Sequence, residues 1–418
     1  VRNGIIVVSG TNGKTTTANM IAGVLGDAGH KVIVNREGSN MISGITSSFV
    51  ANSGVSANID CDYAVLEVDE ASMPWVLKEI NPKVVVLTNF FRDQLDRYWE
   101  LEKIIGIIKD SLHKQKQSTL VLNADDPLVA QFKSATGLPA VFYGLSANDL
   151  SSKTTTQTRE AKFCPCCGAA LIYEFFNYGQ LGAYHCPDCA FKRPEPEVEA
   201  LGSVSKNAAN CCRLRYKKGE DSLVIQVHGI YNLYNALAAF AVGLHLGVNV
   251  RTILSSLKKY QPVTGRMERF TYKGKQAYLN LVKNPTGFNV ALAALCAAGG
   301  TKDVFIAVND NHADSRDISW LWDVDFELLG REHTAFNCFI CSGRRAEEMA
   351  LRLKYAGVPV EKITVNTRMR QAIEQVLSGR AEASYLFSTY TALWPVRKIL
   401  EYLVVKGNAD DKRMSSVS

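Results

Sequence analysis

The chain opens on a short β-branched run, Gly4 to Ser9 (GIIVVS), which stops at Gly10 and gives way to apolar positions at helical spacing from Thr15 to Leu25. That pattern predicts a buried strand, a glycine loop and a helix. Strand-like runs follow at Lys31 to Val34, Tyr63 to Glu67, Val84 to Thr88 and Thr119 to Leu122, with helix-period stretches at Trp75 to Ile80 and Leu101 to Leu112. Strands alternating with helices predict an α/β fold with a doubly wound parallel sheet, covered by helices on both faces. From Ser146 to about Val204 the texture turns polar, with paired cysteines and a charged, Pro-containing exit (KRPEPEVE), and reads as an insertion. Helical periodicity returns at Asn232 to Leu246 and Arg251 to Lys259. A second alternating series starts near Phe270, with strands at Ala277 to Leu281, Val304 to Val308, Phe339 to Cys341, Ile363 to Val365 and Ser384 to Phe387. Helices at Arg345 to Tyr355 and Gln371 to Leu377 fall between them, so the expected organisation is a first domain over 1–268 and a smaller Rossmann-like α/β domain over 269–418.

At 418 residues the chain has material for two or three domains with sizeable cores. Hydrophobic residues at 47% and charged residues at 21%, with 30 Gly and 12 Pro, exclude collagen-like, disordered and coiled-coil classes. The net charge of +6 suits an anionic ligand but is far below that of a dedicated nucleic-acid binder. No apolar run approaches the roughly 18 residues of a membrane span, since even Ala236 to Leu244 is stopped by His245. The expectation is a cytoplasmic protein without a transmembrane segment. Position 1 is Val rather than Met, which leaves open an upstream segment that was trimmed.

The loop GTNGKTTT (Gly10 to Thr17) is built for phosphate: its glycines let the backbone wrap an anion, and the following helix offers unpaired N–H groups and its positive dipole end. Gly10, Thr11, Asn12, Gly13, Lys14, Thr15 and Thr16 are the candidate contacts. In a phosphate loop Lys14 reaches the β- and γ-phosphates and the Thr15 hydroxyl holds Mg²⁺. The usual eight-residue form has glycine where this chain has Val8.

Eleven cysteines include Cys164 and Cys167 (FCPCCG) and Cys186 and Cys189 (HCPDCA), two CxxC pairs with eighteen residues between them. Two such knuckles joined by a hairpin-like stretch, Leu171 to Tyr184, predict a tetrahedral zinc ribbon over about 160–195, in a reducing compartment rather than a disulfide framework. Cys166 is the extra thiol and not a ligand. Few basic residues accompany the ribbon beyond Lys162, Lys192 and Arg193, which favours a structural or docking role over nucleic-acid binding. Cys61, Cys211, Cys212 and Cys296 read as packing residues.

The shortened loop G-T-x-G-K-T resembles that of the Mur ligase and folylpolyglutamate synthase superfamily, which joins carboxylates to amines at the expense of ATP. Further segments match in order. Glu67 in LEVDE stands where the superfamily carries a Mg²⁺-binding glutamate, and TNFFRDQLDR (Thr88 to Arg97) resembles the TNxxxDHLD segment with Gln94 in place of a metal-binding histidine. LNADDP (Leu122 to Pro127), YNLYN (Tyr231 to Asn235) and GRME (Gly265 to Glu268) match nucleotide-contacting segments, with Asn232, Asn235 and Arg266 as the implied contacts. In the C-terminal part NLVKNP (Asn280 to Pro285) replaces DYAHxP, with Lys283 at the histidine position. VNDNHADSRDISWLWDVDFE (Val308 to Glu327) gathers carboxylates among aromatic residues.

Together with the ribbon, these segments resemble, along essentially the whole chain, the family of the ligase-like subunit of lipid II isoglutaminyl synthase. The UDP-sugar domain of the amino-acid-adding relatives has no counterpart here, which the resemblance reads as fitting a lipid-linked substrate. It implies ATP-dependent amidation of the α-carboxylate of D-glutamate in the lipid II stem peptide, through an acyl phosphate, at the cytoplasmic face of the membrane. Lys14, Thr15 and Glu67 with Mg²⁺, and Lys283, are the implied phosphoryl- and acyl-charge partners. The chain has no G-x-C-x-G nucleophile elbow, and Cys338 and Cys341 at a strand end lack a local base, so ammonia is assigned to a glutaminase subunit resembling GatD. By motif match Asp317 is the acid that completes that partner's Cys–His triad; the alternative is an N-cap of the turn Ile318 to Leu321. Asp310, Asp314, Asp323 and Asp325 are lesser candidates. Two other readings remain open at this point: a ligase that adds an amino acid, and a zinc-ribbon ATPase that binds nucleic acid.

Overall fold

The structure, a computed structural model, describes residues 1–418 except 36–38, 55–57, 93–100, 156–158, 203–209, 228, 262–264, 315 and 416–418, and describes only the backbone over 408–415. Its contacts divide the described residues into two compact units, one of 1–92 and 101–261 and the other of 265–415. Position 268 falls inside the first strand of the second unit, Arg266–Tyr272.

The first unit runs β1 (Gly4–Ser9), α1 (Lys14–Asp27), β2 (Val32–Val34), α2 (Ile42–Ala51), β3 (Tyr63–Glu67), α3 (Met73–Glu79), β4 (Val84–Leu87), α4 (Leu101–Leu112), β5 (Thr119–Asn123), α5 (Pro127–Ala130), α6 (Phe132–Thr136) and β6 (Ala140–Leu145). It continues through β7 (Ile172–Tyr178), β8 (Leu181–His185), β9 (Val198–Leu201), β10 (Asn210–Tyr216), β11 (Gly219–Ile225), α7 (Ile230–His245) and α8 (Val250–Lys259). Nine of these strands form one sheet in the order β11-β10-β9-β6-β5-β4-β1-β3-β2. The seven from β9 to β2 pair in parallel, and β10 and β11 extend the sheet antiparallel.

Burial on both faces explains the uninterrupted apolar strands: in β1, Ile6 and Val8 enter the layer under α1, α7 and α8, while Val7 enters the opposite layer with α3 and α4. The antiparallel edge escaped the sequence pattern because β10 alternates buried apolar residues with exposed Arg213 and Arg215, which carries little hydrophobic mass. β7 and β8 form the expected hairpin as a separate two-stranded sheet.

The second unit runs β12 (Arg266–Tyr272), β13 (Lys275–Leu281), α9 (Pro285–Ala297), β14 (Lys302–Ala307), α10 (Glu327–Arg331), β15 (Phe336–Ser342), α11 (Ala346–Tyr355), β16 (Ile363–Val365), α12 (Met369–Leu377), β17 (Ala383–Ser388) and α13 (Tyr390–Ser415). Its sheet order is β12-β13-β17-β14-β15-β16, parallel except for the β12–β13 hairpin. No helix among the described residues is long and apolar enough to cross a membrane.

Candidate nucleotide and metal sites

β1 ends where Gly10 turns to φ 121° and Gly13 to φ 87°, conformations that favour glycine, so α1 begins directly behind a tight loop. A side chain at Gly10 would run into Thr88 Oγ1 and the Asn89 carbonyl, and one at Gly13 would run into the Asn235 amide. The loop is therefore held close on both sides.

On one side lies the segment after β4. Thr88 Oγ1 donates to the Asn12 carbonyl at 2.8 Å and Asn89 Nδ2 donates to the same oxygen at 3.0 Å. The Asn12 amide donates back to Asn89 Oδ1 at 3.0 Å. Thr11 N donates to the Asn89 carbonyl at 2.8 Å, and the Thr11 hydroxyl accepts from Phe91 N at 3.1 Å. On the other side α7 supplies Asn235, whose Oδ1 accepts from Thr17 Oγ1 at 3.2 Å and whose Nδ2 donates to Asn232 Oδ1 at 3.3 Å. Both asparagines sit inside α7, which starts at Ile230 after Gly229, so neither is its cap.

Within the loop Lys14 is buried, and its Nζ donates to the Gly10 carbonyl at 2.6 Å and reaches the carboxylate of buried Glu70 at 3.1 Å. The Thr15 hydroxyl donates to Glu67 Oε2 at 2.7 Å. Glu67 closes β3 and is fixed through its backbone: Asn35 accepts from its N–H at 2.8 Å and donates to its carbonyl at 2.9 Å, while Asn40 Nδ2 donates to Oε1 at 3.3 Å. One hydroxyl and one carboxylate oxygen thus meet at the loop, the pair of hard oxygen donors that a magnesium ion takes. Gln94 lies outside the described residues.

The four ribbon thiols converge so that all their sulfurs lie within 4.8 Å of one another, with Cys164 to Cys189 at 3.6 Å and Cys167 to Cys186 at 3.4 Å. Backbone amides of Cys166 and Asp188 donate to Cys164 and Cys186 sulfur at 3.4 Å. Four soft sulfurs with amide donors behind them fit a tetrahedral zinc site. Cys166 is exposed and outside the cluster. Cys61 and Cys212 are buried as packing residues, but Cys211 is exposed, because it occupies an outward position of β10.

Asp125 and Asp126 of LNADDP are fully buried and anchor the insertion. Asp125 accepts from Arg193 Nε at 2.7 Å and from the Tyr234 hydroxyl at 2.5 Å. Asp126 accepts from Phe90 N at 2.9 Å, Leu128 N at 3.0 Å and Gln180 Nε2 at 3.0 Å.

In the second unit Arg266 opens β12 at a bulge, beside Glu268, which pairs with Arg397 at 2.9 Å. Lys283 is half-buried, one residue before Asn284, whose side chain caps α9 by accepting from Gly287 N at 2.8 Å. Asp317 is exposed; it accepts from Ser319 N at 2.8 Å and Ser319 Oγ at 2.9 Å, so it does brace the start of the short 3₁₀ turn Ser319–Asp323. Of the lesser candidates, Asp310 pairs with Arg344 and Arg345 at 2.9 and 2.7 Å, and buried Asp314 accepts from Thr391 N at 2.7 Å. Cys341 is buried within β15, and burial pushes its thiol up to about 12, unlike an activated nucleophile.

Residues 8–182 match the Mur ligase middle domain and residues 281–393 the MurT ligase C-terminal domain. A protein of Staphylococcus aureus (strain COL) described as lipid II isoglutaminyl synthase (glutamine-hydrolyzing) subunit MurT is 39% identical over 94% of this chain and 86% of its own length. The chain belongs to the MurT family. A MurT protein of Streptococcus pneumoniae (strain ATCC BAA-255 / R6) with the same description is 35% identical over 95% of this chain and 87% of its own length. Among solved structures, a pseudomurein peptide ligase type C from Methanothermus fervidus superposes with a TM-score of 0.71 at 25% identity, covering 96% of this chain and 79% of that one. Within this chain, sequence reasoning missed Asn35 and Asn40, and gave no role to Glu70, the last residue of LEVDE. Asn35 and Asn40 carry ordinary polar side chains with no motif spacing, and only the fold brings them, and Glu70 opposite Lys14, to the loop.

Proposed function

We infer that this chain is the ligase subunit of a lipid II isoglutaminyl synthase. It amidates the α-carboxylate of D-glutamate in the lipid II stem peptide to D-isoglutamine, with ATP as co-substrate. The carrying observation is the phosphate loop in which Lys14 lies buried and Thr15 touches Glu67, in a chain similar to MurT proteins along its length. An ionised carboxylate is a poor electrophile, so the reaction needs an acyl phosphate, which ammonia then opens with loss of phosphate.

Each residue has a share in that sequence. Backbone amides from Gly10 to Thr16 and the start of α1 bind the phosphates. Lys14 changes partner from Glu70 to the β- and γ-phosphates, where its charge offsets that of the transferring group. Thr15 and Glu67 hold magnesium, which when bound supplies further charge against the phosphoryl oxygens. Asn232, Asn235 and Arg266 are the nucleotide contacts, and Lys283 the acyl-charge partner, that the family resemblance implies. The four cysteines hold zinc. Ammonia comes from glutamine hydrolysed by a glutaminase subunit resembling GatD, whose triad Asp317 completes, and the work is done at the cytoplasmic face of the membrane.

The test is amidation of lipid II by the purified chain, with and without a glutaminase partner, followed by mass spectrometry. The expected result is ATP-dependent gain of one amide, with glutamine when the partner is present and with high ammonium when it is not. Incorporation of a whole amino acid instead would replace this reading with that of an amino-acid-adding ligase.

A further inference from the structure

The tip of the ribbon hairpin is not on the surface. Asn177 near the end of β7 and Gln180 in the turn before β8 point into the first unit, at 6% and 0% exposure. Gln180 Nε2 donates to the Phe90 carbonyl at 2.7 Å and to Asp126 at 3.0 Å, while its Oε1 accepts from Glu160 N at 3.1 Å and Ala161 N at 3.0 Å. Asn177 Nδ2 donates to the Tyr234 hydroxyl at 2.9 Å and the Leu145 carbonyl at 3.1 Å. Tyr178 lies between them, with its ring 6.0 Å from Phe91 and 5.7 Å from Tyr234.

These partners are not arbitrary. Phe90 and Phe91 follow Thr88 and Asn89, the residues that clamp Thr11 and Asn12; Phe91 itself bonds the Thr11 hydroxyl. Tyr234 precedes Asn235, which closes the loop from the other side at Thr17. The hairpin tip therefore braces both elements that hold the phosphate loop. At its other end β8 runs directly into Cys186, five residues at about 3.3 Å each from the tip, so one short strand joins the thiolate cluster to the brace.

We propose that Gln180 is a positioning residue of the nucleotide site and that the ribbon is its strut, so that zinc binding and nucleotide binding favour one another. A zinc-closed ribbon fixes the hairpin, the hairpin fixes the spacing between the Phe90 segment and α7, and that spacing sets the loop. A metal-free ribbon loses the strand pairing that presents Gln180, because zinc sites made of four cysteines supply much of the folding energy of so small a module. The coupling must run both ways.

The proposal rests on Gly10 to Thr17 being the nucleotide site, and the test separates the two. In the full chain, zinc affinity is measured by competition with a zinc-selective chelator in excess magnesium, with and without saturating ADP; ADP affinity is measured separately by calorimetry. The parent should hold zinc about fivefold or more tightly when ADP is bound. Gln180→Ala, with zinc still at one per chain, should bind ADP weaker by the same factor and show no effect of ADP on zinc. A parent that binds ADP yet holds zinc equally with and without it overturns the strut, whether or not the variant folds, as does parental ADP affinity in zinc-loaded Gln180→Ala. A parent that binds no ADP overturns the nucleotide site itself.

Discussion

At the scale of residues, the proposed chemistry separates into two sets that mutation can pull apart. In the proposed reaction Lys14 and Glu67 serve phosphoryl transfer, so Lys14→Ala and Glu67→Ala should abolish amidation with glutamine and with ammonium alike; turnover at the parent rate with ammonium chloride would remove them from the reaction. Asp317 is assigned to the partner's reaction. A triad acid holds the histidine tautomer, and its loss costs about 10⁴-fold in the reaction it supports. Asp317→Asn should thus lose glutamine-dependent amidation and keep the ammonium-dependent one. If Asp317 serves only its bonds to Ser319, the same variant should cost about 0.5 to 2 kcal/mol of stability with both nitrogen sources affected equally. The loop residues were legible in the sequence because a phosphate cradle needs glycines and a lysine at fixed spacing. Glu70 was not, since its pairing with Lys14 exists only after β3 and α1 have been brought side by side.

At the scale of elements, β1, β3 and α4 were read without error and β2, β4, β5 and β17 to within a residue, because an apolar run bounded by turns has few alternatives; β6 and β9 were missed, and β15 was read three residues short at its start. α9 was missed: its Ala-rich face has a weak period, and Pro285 at its start looks like a breaker although it occupies a first-turn position that needs no N–H donor. The joint between α5 and the ribbon should show in the pH dependence of stability. Burial pushes Asp126 up to about 7, against hydrogen bonds from Phe90, Leu128 and Gln180 that hold it down. The unfolded chain gives up this proton in the ordinary carboxylate range and the folded chain only near 7, so stability falls as pH rises between those values. Asp126→Asn does not titrate. Urea unfolding from pH 5 to 8 should find the variant gaining on the parent by up to about 1.4 kcal/mol per pH unit, levelling off above 7. The ribbon has its own check: Cys166→Ser should retain one zinc per chain by metal analysis, and Cys164→Ser should not. Zinc lost in the first and kept in the second would overturn the ligand set.

At the scale of the molecule, the alternating pattern announced two α/β units, and chain contacts divide it at Gln261, a few residues ahead of the position read from the sequence, because the β12–β13 hairpin packs as one piece with the second sheet. The charged alternation that hid the antiparallel edge has a further effect. A nine-stranded sheet has two open flanks, each a template on which another chain can pair. Here one flank is β2, only three residues long, and the other is β11, where Glu220 and Asp221 are exposed. A strand pairing on β11 would have to strip water from those carboxylates, which disfavours pairing there. Glu220→Val with Asp221→Val should leave the fold in place and turn the protein toward self-association, seen as a concentration-dependent rise in light scattering. On that outcome, what looks like weak strand material is, in a crowded solution, the feature that keeps this sheet from growing.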